Sequence, residues 1–253
     1  MPPPTSKTPA LRTLADILFS QGFGSRRVCD GLVDAGLVEV NGERVDDPAA
    51  RFAPQGLVLT VEGETWPVHE RALVLLHKPV GYECSQKPRH HPSVMSLLPA
   101  PLRQRGVQPV GRLDEDTTGL LLFTDDGALI HKLTHPKRHV PKVYHARTAR
   151  PLDELQVKKL LAGVVLRDDP APVQALAAEM RGEHELALTL AEGKYHQARR
   201  MVAAVGNHVE ALQRVAFGSL LLGDDLPEGR WRWLTDVEEA ALLATPKAAG
   251  PSP

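Results

Sequence analysis

The spacing of apolar residues changes along the chain, and the change divides it. Leu11, Leu14, Ile17 and Leu18 recur at helical spacing, Gly22 and Gly24 interrupt them, and Ser25 is placed to cap a second helix carrying Val28, Leu32 and Val33. Gly36 ends that helix. Val38 and Val40 then alternate with polar residues into Asn41-Gly42, a pair that tolerates positive φ and so predicts a tight hairpin before Val45 resumes the strand. From Leu73 onward the pattern is mixed. Short apolar runs at 73–76, 120–123 and 186–190 predict strands, and helical spacing at 129–133, 152–161, 198–205 and 237–243 predicts helices. The class expected is α+β, a small helix/strand unit followed by a larger mixed one.

The length of 253 residues fits that division, since domains run to roughly 150 residues each. An acidic, Pro-containing stretch at 62–70 is the expected linker between units at 11–61 and 71–244, and Pro-rich segments at 1–10 and 245–253 predict disordered tails. No apolar run reaches the ~18 residues of a membrane helix, and residues 1–10 lack the apolar centre of a secretion signal, so a cytoplasmic protein is expected. Cys29 and Cys84 are far apart and form no CxxC, which argues against a disulfide framework or a zinc site. The chain also has no Gly-rich phosphate loop of the kind that cradles a nucleotide.

Three segments carry candidate chemistry. Gly111–Gly127, GRLDEDTTGLLLFTDDG, places Asp114 on a polar loop just before an apolar strand, where a carboxylate can act as nucleophile or general base; the same composition also suits a plain Asx-rich turn. Its acids, Asp114, Glu115, Asp116, Asp125 and Asp126, match no calcium-loop spacing. His131–Arg150 holds six Lys/Arg, four His and no acid, with Tyr144 among them: a solvated face, or phosphate contacts with a ring for stacking. Glu192–Met201, EGKYHQARRM, puts Arg199 and Arg200 near a helix start, where basic residues oppose the dipole unless an anion binds.

In this order the segments resemble the motifs of the RsuA/RluB-type family of rRNA pseudouridine synthases. Lys78-Pro79-Val80-Gly81-Tyr82 looks like its KPxGY strand end, Lys142-Val143-Tyr144 its KxY motif, and the N-terminal unit at 11–61, through its segment 14–45, an S4 RNA-binding module. Tyr195-His196-Gln197 is similar to the small-subunit branch, where large-subunit relatives typically have Asn-Arg-Gln. The resemblance implies a mainly antiparallel catalytic sheet flanked by helices. It also implies isomerisation of a uridine in 16S rRNA of an assembling small-subunit particle, by a monomer without cofactor. Asp114 would be the nucleophile at ribose C1′ of a flipped uridine, Tyr144 would stack on the base and Arg199 would pair with Asp114 to favour the ionised form. Arg112, Lys142, Lys194, Arg200, Arg26 and Arg27 would contact RNA. The same chemistry on 23S rRNA, or a non-catalytic RNA-binding assembly factor, are the alternatives.

The net charge of −1 first argues against RNA, but it is unevenly spread. Residues 1–70 carry 6 basic and 10 acidic groups, whereas residues 131–214, which include Tyr144 and Arg199, carry 14 and 9. Within residues 11–52, five Arg face seven acids, so strong independent RNA affinity is not expected of the N-terminal module.

Overall fold

The computed structural model describes residues 10–167 and 169–244. Apart from Ala10, the expected tails lie outside the described residues. The described residues form two units, one drawn from residues 10–72 and 98–107, the other from residues 73–97, 108–167 and 169–244.

In the first unit β1 (Arg12–Thr13) leads into α1 (Leu14–Gln21), where the Thr13 hydroxyl accepts the Asp16 N–H at 3.2 Å. Leu11 lies outside this helix and is 56% exposed, so it does not share the buried face of Leu14, Ile17 and Leu18. Ser25 caps α2 (Arg26–Asp34) by accepting the Val28 N–H at 3.4 Å, the role its position predicts. The buried face of α2 is turned from the expected one: Cys29 and Val33 are buried, while Val28 is 49% exposed. A four-residue step joins Cys29 to Val33, so the small apolar thiol takes the core position that Val28 was expected to fill.

The predicted hairpin is formed by β2 (Val38–Val40) and β3 (Glu43–Arg44), with Asn41 and Gly42 at φ 52° and 86°. β4 (Arg51–Phe52) pairs with β1, and β5 (Val58–Val61) and β6 (Glu64–Pro67) complete a four-stranded sheet in the order β3-β2-β5-β6. The stretch 62–70 is therefore not a free linker. Its first residues turn the β5–β6 hairpin, and Trp66 is buried edge-on to Phe23 at 5.4 Å. The Gln21 amide exchanges two hydrogen bonds with the His69 backbone, at 3.0 and 3.1 Å. Arg105 of α3 (Ala100–Arg105) adds bonds to the carbonyls of His69 and Glu70. Acidic composition marked exposure at this stretch; it did not reveal the backbone pairing.

The second unit is built on one sheet. Its strands are β7 (Leu73–Lys78), β8 (Gln108–Pro109), β9 (Thr117–Thr124), β10 (Lys142–Thr148), β13 (Ala177–Gly182), β14 (Glu185–Leu190), β15 (Val209–Phe217), β16 (Leu220–Leu221) and β17 (Trp231–Trp233). The order is β13-β14-β10-β15-β9-β7-β17, with β8 beside β9 and β16 beside β15. Every pairing is antiparallel except β9 with β15. A separate hairpin joins β11 (Val164–Leu166) to β12 (Asp169–Val173). The helices α4 (Gly127–Thr134), α5 (Glu154–Ala162), α6 (Gln197–Ala204) and α7 (Asp236–Ala244) bury apolar faces in two cores. One gathers Leu160, Leu188, Met201 and Val202; the other gathers Leu75, Leu120, Phe217 and Leu242. This is the α+β architecture expected.

The parallel contact between β9 and β15 depends on Gly119. Its φ is 112°, and a Cβ there would stand 2.2 Å from the Arg214 carbonyl oxygen. Only a residue without a side chain lets β15 approach, and that approach sets the Asp114 loop beside the strand carrying Arg214.

Candidate active site

Asp114 lies on the turn that enters β9, where its carbonyl accepts the Thr117 N–H at 3.1 Å. The loop is fixed from beneath by Lys78. This lysine is fully buried, and its ammonium donates to the carbonyls of Pro79, Glu115 and Thr117 at 2.9, 3.2 and 2.9 Å. Burial pushes the Lys78 amine below its usual range, opposed by Cys84 and the carboxylates of residues 114–116. A second tie runs from the Gly81 N–H to the Glu115 carbonyl at 2.8 Å. Lys78-Pro79-Val80-Gly81, singled out in the sequence only as a motif, thus builds the support of the Asp114 loop.

Beside Asp114 opens a cavity of about 520 Å³, within the roughly 300–1,000 Å³ common for ligand sites. Asp114, Arg112, Tyr144, Lys142 and Lys194 all line it. Tyr144 and Lys142 come from β10, two residues apart and hence on one face of the sheet. Tyr144 packs against the core containing Leu188 and Met201 and also lines the cavity. The Lys142 amine donates to the Val140 carbonyl at 2.8 Å and lies 5.8 Å from the Phe217 ring centre. Burial first, and the Arg214 charge second, push its pKa down to about 8.

The expected pairing of Arg199 with Asp114 is not what the structure contains. Arg199 Nη2 meets the Asp116 carboxylate at 2.9 Å, and its Nη1 donates to the Val209 carbonyl at 3.0 Å. Asp114 instead faces His196, whose Nε2 is 3.4 Å from Oδ1. Asp114 and Asp116 sit two residues apart on one loop, and sequence alone does not say which of them meets Arg199. Neither Arg199 nor Arg200 lines the cavity: Arg200 Nη1 holds the Tyr195 carbonyl at 3.1 Å. Lys194 reaches the cavity wall but is engaged by Asp169 and lies 3.7 Å from Glu192, and its amine is raised chiefly by the Asp169 hydrogen bond. Arg26 and Arg27 belong to the first unit, where Arg26 pairs with Asp16 and lies over the Phe19 ring at 4.8 Å.

Two residues of the site had no assigned role in the sequence reading. His196 is the N-cap of α6 in the left-handed conformation, φ 46°, with its ring stacked on Tyr195 at 3.9 Å. Arg214 is only 2% exposed, lines the cavity, and donates from Nε to the Leu120 carbonyl at 2.9 Å. The Tyr195-His196-Gln197 triplet was a signal for the first; Arg214 lies in an alternating strand pattern that gave none. Among the described residues no group of three or more His, Cys, Asp or Glu side chains is arranged to hold a metal ion. No helix among them is long and apolar enough to cross a membrane.

A nine-stranded mixed sheet with a carboxylate loop, a tyrosine and buried cations around one cavity defines a class. The chain belongs to the RNA pseudouridylate synthase family, whose model matches residues 72–204, and is an isomerase of that class; the S4 domain model matches residues 12–55. The chain is 34% identical to an uncharacterized RNA pseudouridine synthase, YtzG, of Bacillus subtilis, over 93% of this chain and 99% of the relative. It is also 34% identical to Ribosomal small subunit pseudouridine synthase A of Escherichia coli, over 90% and 99%, and 37% identical to the protein of that name from Pasteurella multocida, over 81% and 88%. A crystal structure of a pseudouridylate synthase superposes with a TM-score of 0.65 at 33% identity, covering 91% of this chain and 99% of the other.

Proposed function

We propose that this synthase isomerises a uridine of small-subunit ribosomal RNA, with Asp114 as the group that attacks or assists at ribose C1′. The observation that carries the reading is the shared cavity of Asp114 and Tyr144 in a chain that spans nearly the whole of relatives named for the small ribosomal subunit. The uridine would be flipped out of its RNA context, its base stacked on Tyr144 and the gap or phosphate left behind met by Arg112. The N1–C1′ bond breaks, the base turns, C5 bonds to C1′ and the C5 proton leaves. Arg199 acts here as a positioning residue: by holding Asp116 and the 209 carbonyl it fixes the loop on which Asp114 sits. Lys78 fixes the same loop from its other side.

Tritium release from RNA carrying C5-labelled uridine tests the chemistry. Release from small-subunit RNA or particles is expected, and none from either ribosomal RNA would overturn it. Pseudouridine maps of both RNAs with and without the gene decide the target: a 16S site should vanish, whereas loss of a 23S site would redirect the assignment.

A further inference from the structure

The reaction leaves one species for which the roles above make no provision. When the N1–C1′ bond breaks, its electron pair stays on N1 and spreads over O2 and O4 of the base. The sugar carbon is taken up either by bonding to the Asp114 carboxylate or by losing a C2′ proton that returns when the new bond forms. C5 then bonds to C1′, the C5 proton leaves and N1 regains a proton, so composition is unchanged. Between the two bonds the base is covalently free, negatively charged, and must turn without escaping.

We propose that Arg214, with the Lys142 amine beside it, holds the detached uracil as an anion and keeps it in the cavity while it turns. This rests on the pseudouridine-synthase reading above. Arg214 stands directly opposite Tyr144 in the β10–β15 register, so both side chains leave the same face of the sheet, and both line the cavity. The guanidinium is nearly fully buried, lies over Phe217 at 5.4 Å, and spends Nε on Leu120; its Nη2 has no hydrogen-bond partner. A buried donor of this kind calls for an acceptor, and a charged one for an anion. Lys142 lines the same wall, held by backbone carbonyls, and its amine shares the Phe217 ring with Arg214, at 5.8 and 5.4 Å from the ring centre; burial first and the Arg214 charge second depress it. A pyrimidine carbonyl oxygen that gains charge when the glycosidic bond breaks is an acceptor of the right chemistry, because the interaction strengthens as the reaction proceeds. An RNA phosphate would meet the same charge, and the two occupants give different kinetics.

The test follows RNA containing ring-labelled uridine and measures pseudouridine and free uracil from the same reaction. The wild-type protein is expected to yield pseudouridine alone. Arg214→Gln is expected to lower kcat by about 100-fold, leave KM within about threefold, and release free uracil in roughly one turnover in ten or more. Arg214→Lys, which keeps the charge, should release less. The ratio of the two products does not depend on how much of a variant is folded. If Arg214→Gln yields no folded protein, Arg214→Lys decides: detectable uracil supports the role and none overturns it. Pseudouridine as the sole product of a slowed Arg214→Gln, a raised KM without uracil release as a phosphate contact would give, or wild-type kinetics would each overturn the assignment. A wild-type protein inactive on both ribosomal RNAs would overturn the proposed function itself, and this role with it.

Discussion

The basic residues at the start of α2 and three of the second unit, Lys78, Lys142 and Arg214, carry the same charge in opposite surroundings. The side chain of Arg26 is 66% exposed and pairs with a carboxylate, Asp16, that is itself at the surface; Arg27 is exposed next to it. Lys78 and Arg214 are buried, Lys142 is half-buried, and all three are held by backbone carbonyls or an aromatic ring. Exposed cations can be exchanged among phosphates at little cost, and their attraction is screened by salt. Buried cations cost folding energy and persist where they brace a loop or meet charge that arises during the reaction. Substitutions in the two regions should therefore differ in size and in the property they change.

The largest effect belongs to the Asp114 carboxylate, which lines the cavity. Asp114→Asn keeps the shape of a side chain that is 34% exposed, so turnover should fall by about 10⁴-fold or more while the thermal midpoint hardly moves. Tritium release and a melting curve on the same preparation check both halves. Full activity in the variant would remove Asp114 from the chemistry.

Lys78→Met comes next. It takes away a buried cation and leaves the carbonyls of Pro79, Glu115 and Thr117 without their donor. We expect a loss of about 3 kcal/mol of stability, seen as a midpoint lower by roughly 6–12 °C, together with reduced kcat as the Asp114 loop loosens. A variant with normal stability and slow chemistry would mean that Lys78 acts on substrate and is no brace.

The third effect depends on pH. The folded chain holds the Lys142 amine near 8, whereas the unfolded chain keeps it at 10.5. Between those values the unfolded state binds more protons, so this group makes stability rise as pH increases from 8 to 10.5; below pH 8 its full penalty is present. Denaturant titrations should show the wild type gaining on Lys142→Met by about 2 kcal/mol across that window. Parallel curves for the two proteins would show that the amine is not desolvated.

How far the sequence revealed these regions depends on how local each signal was. Ser25 capping α2 and Asn41-Gly42 turning a hairpin act within a few residues, and both appear where expected. Asp114 and Tyr144 were found as separate motifs, and their meeting at one cavity needed the β9, β15 and β10 neighbours that no local pattern orders. Strand β10 shows in the sequence as a basic run and a KxY motif without a strand signal, because Lys142, His145 and Arg147 mask its alternation. The partner of Arg199 was misassigned for a similar reason: Asp114 and Asp116 are equally near in sequence, and only the turn closed at Thr117 directs one to His196 and the other to Arg199.

The smallest effect is at the surface, where it separates the two regions most clearly. Arg26→Gln together with Arg27→Gln removes two charges from the S4 domain, whose cations are exposed and whose segment is acidic overall. If these arginines contact phosphates, KM for ribosomal RNA should rise by a few fold at physiological salt and the slope of log KM against log salt should fall by about 1–2. kcat, and the ratio of pseudouridine to free uracil, should stay at the wild-type values, because neither arginine lines the cavity proposed to hold the base. A fall in kcat at saturating RNA would join the two regions in function and end the distinction drawn between them. An unchanged salt slope would instead leave the RNA contacts to Arg112 and the other cations of the second unit, where the surplus of positive charge in residues 131–214 already lies.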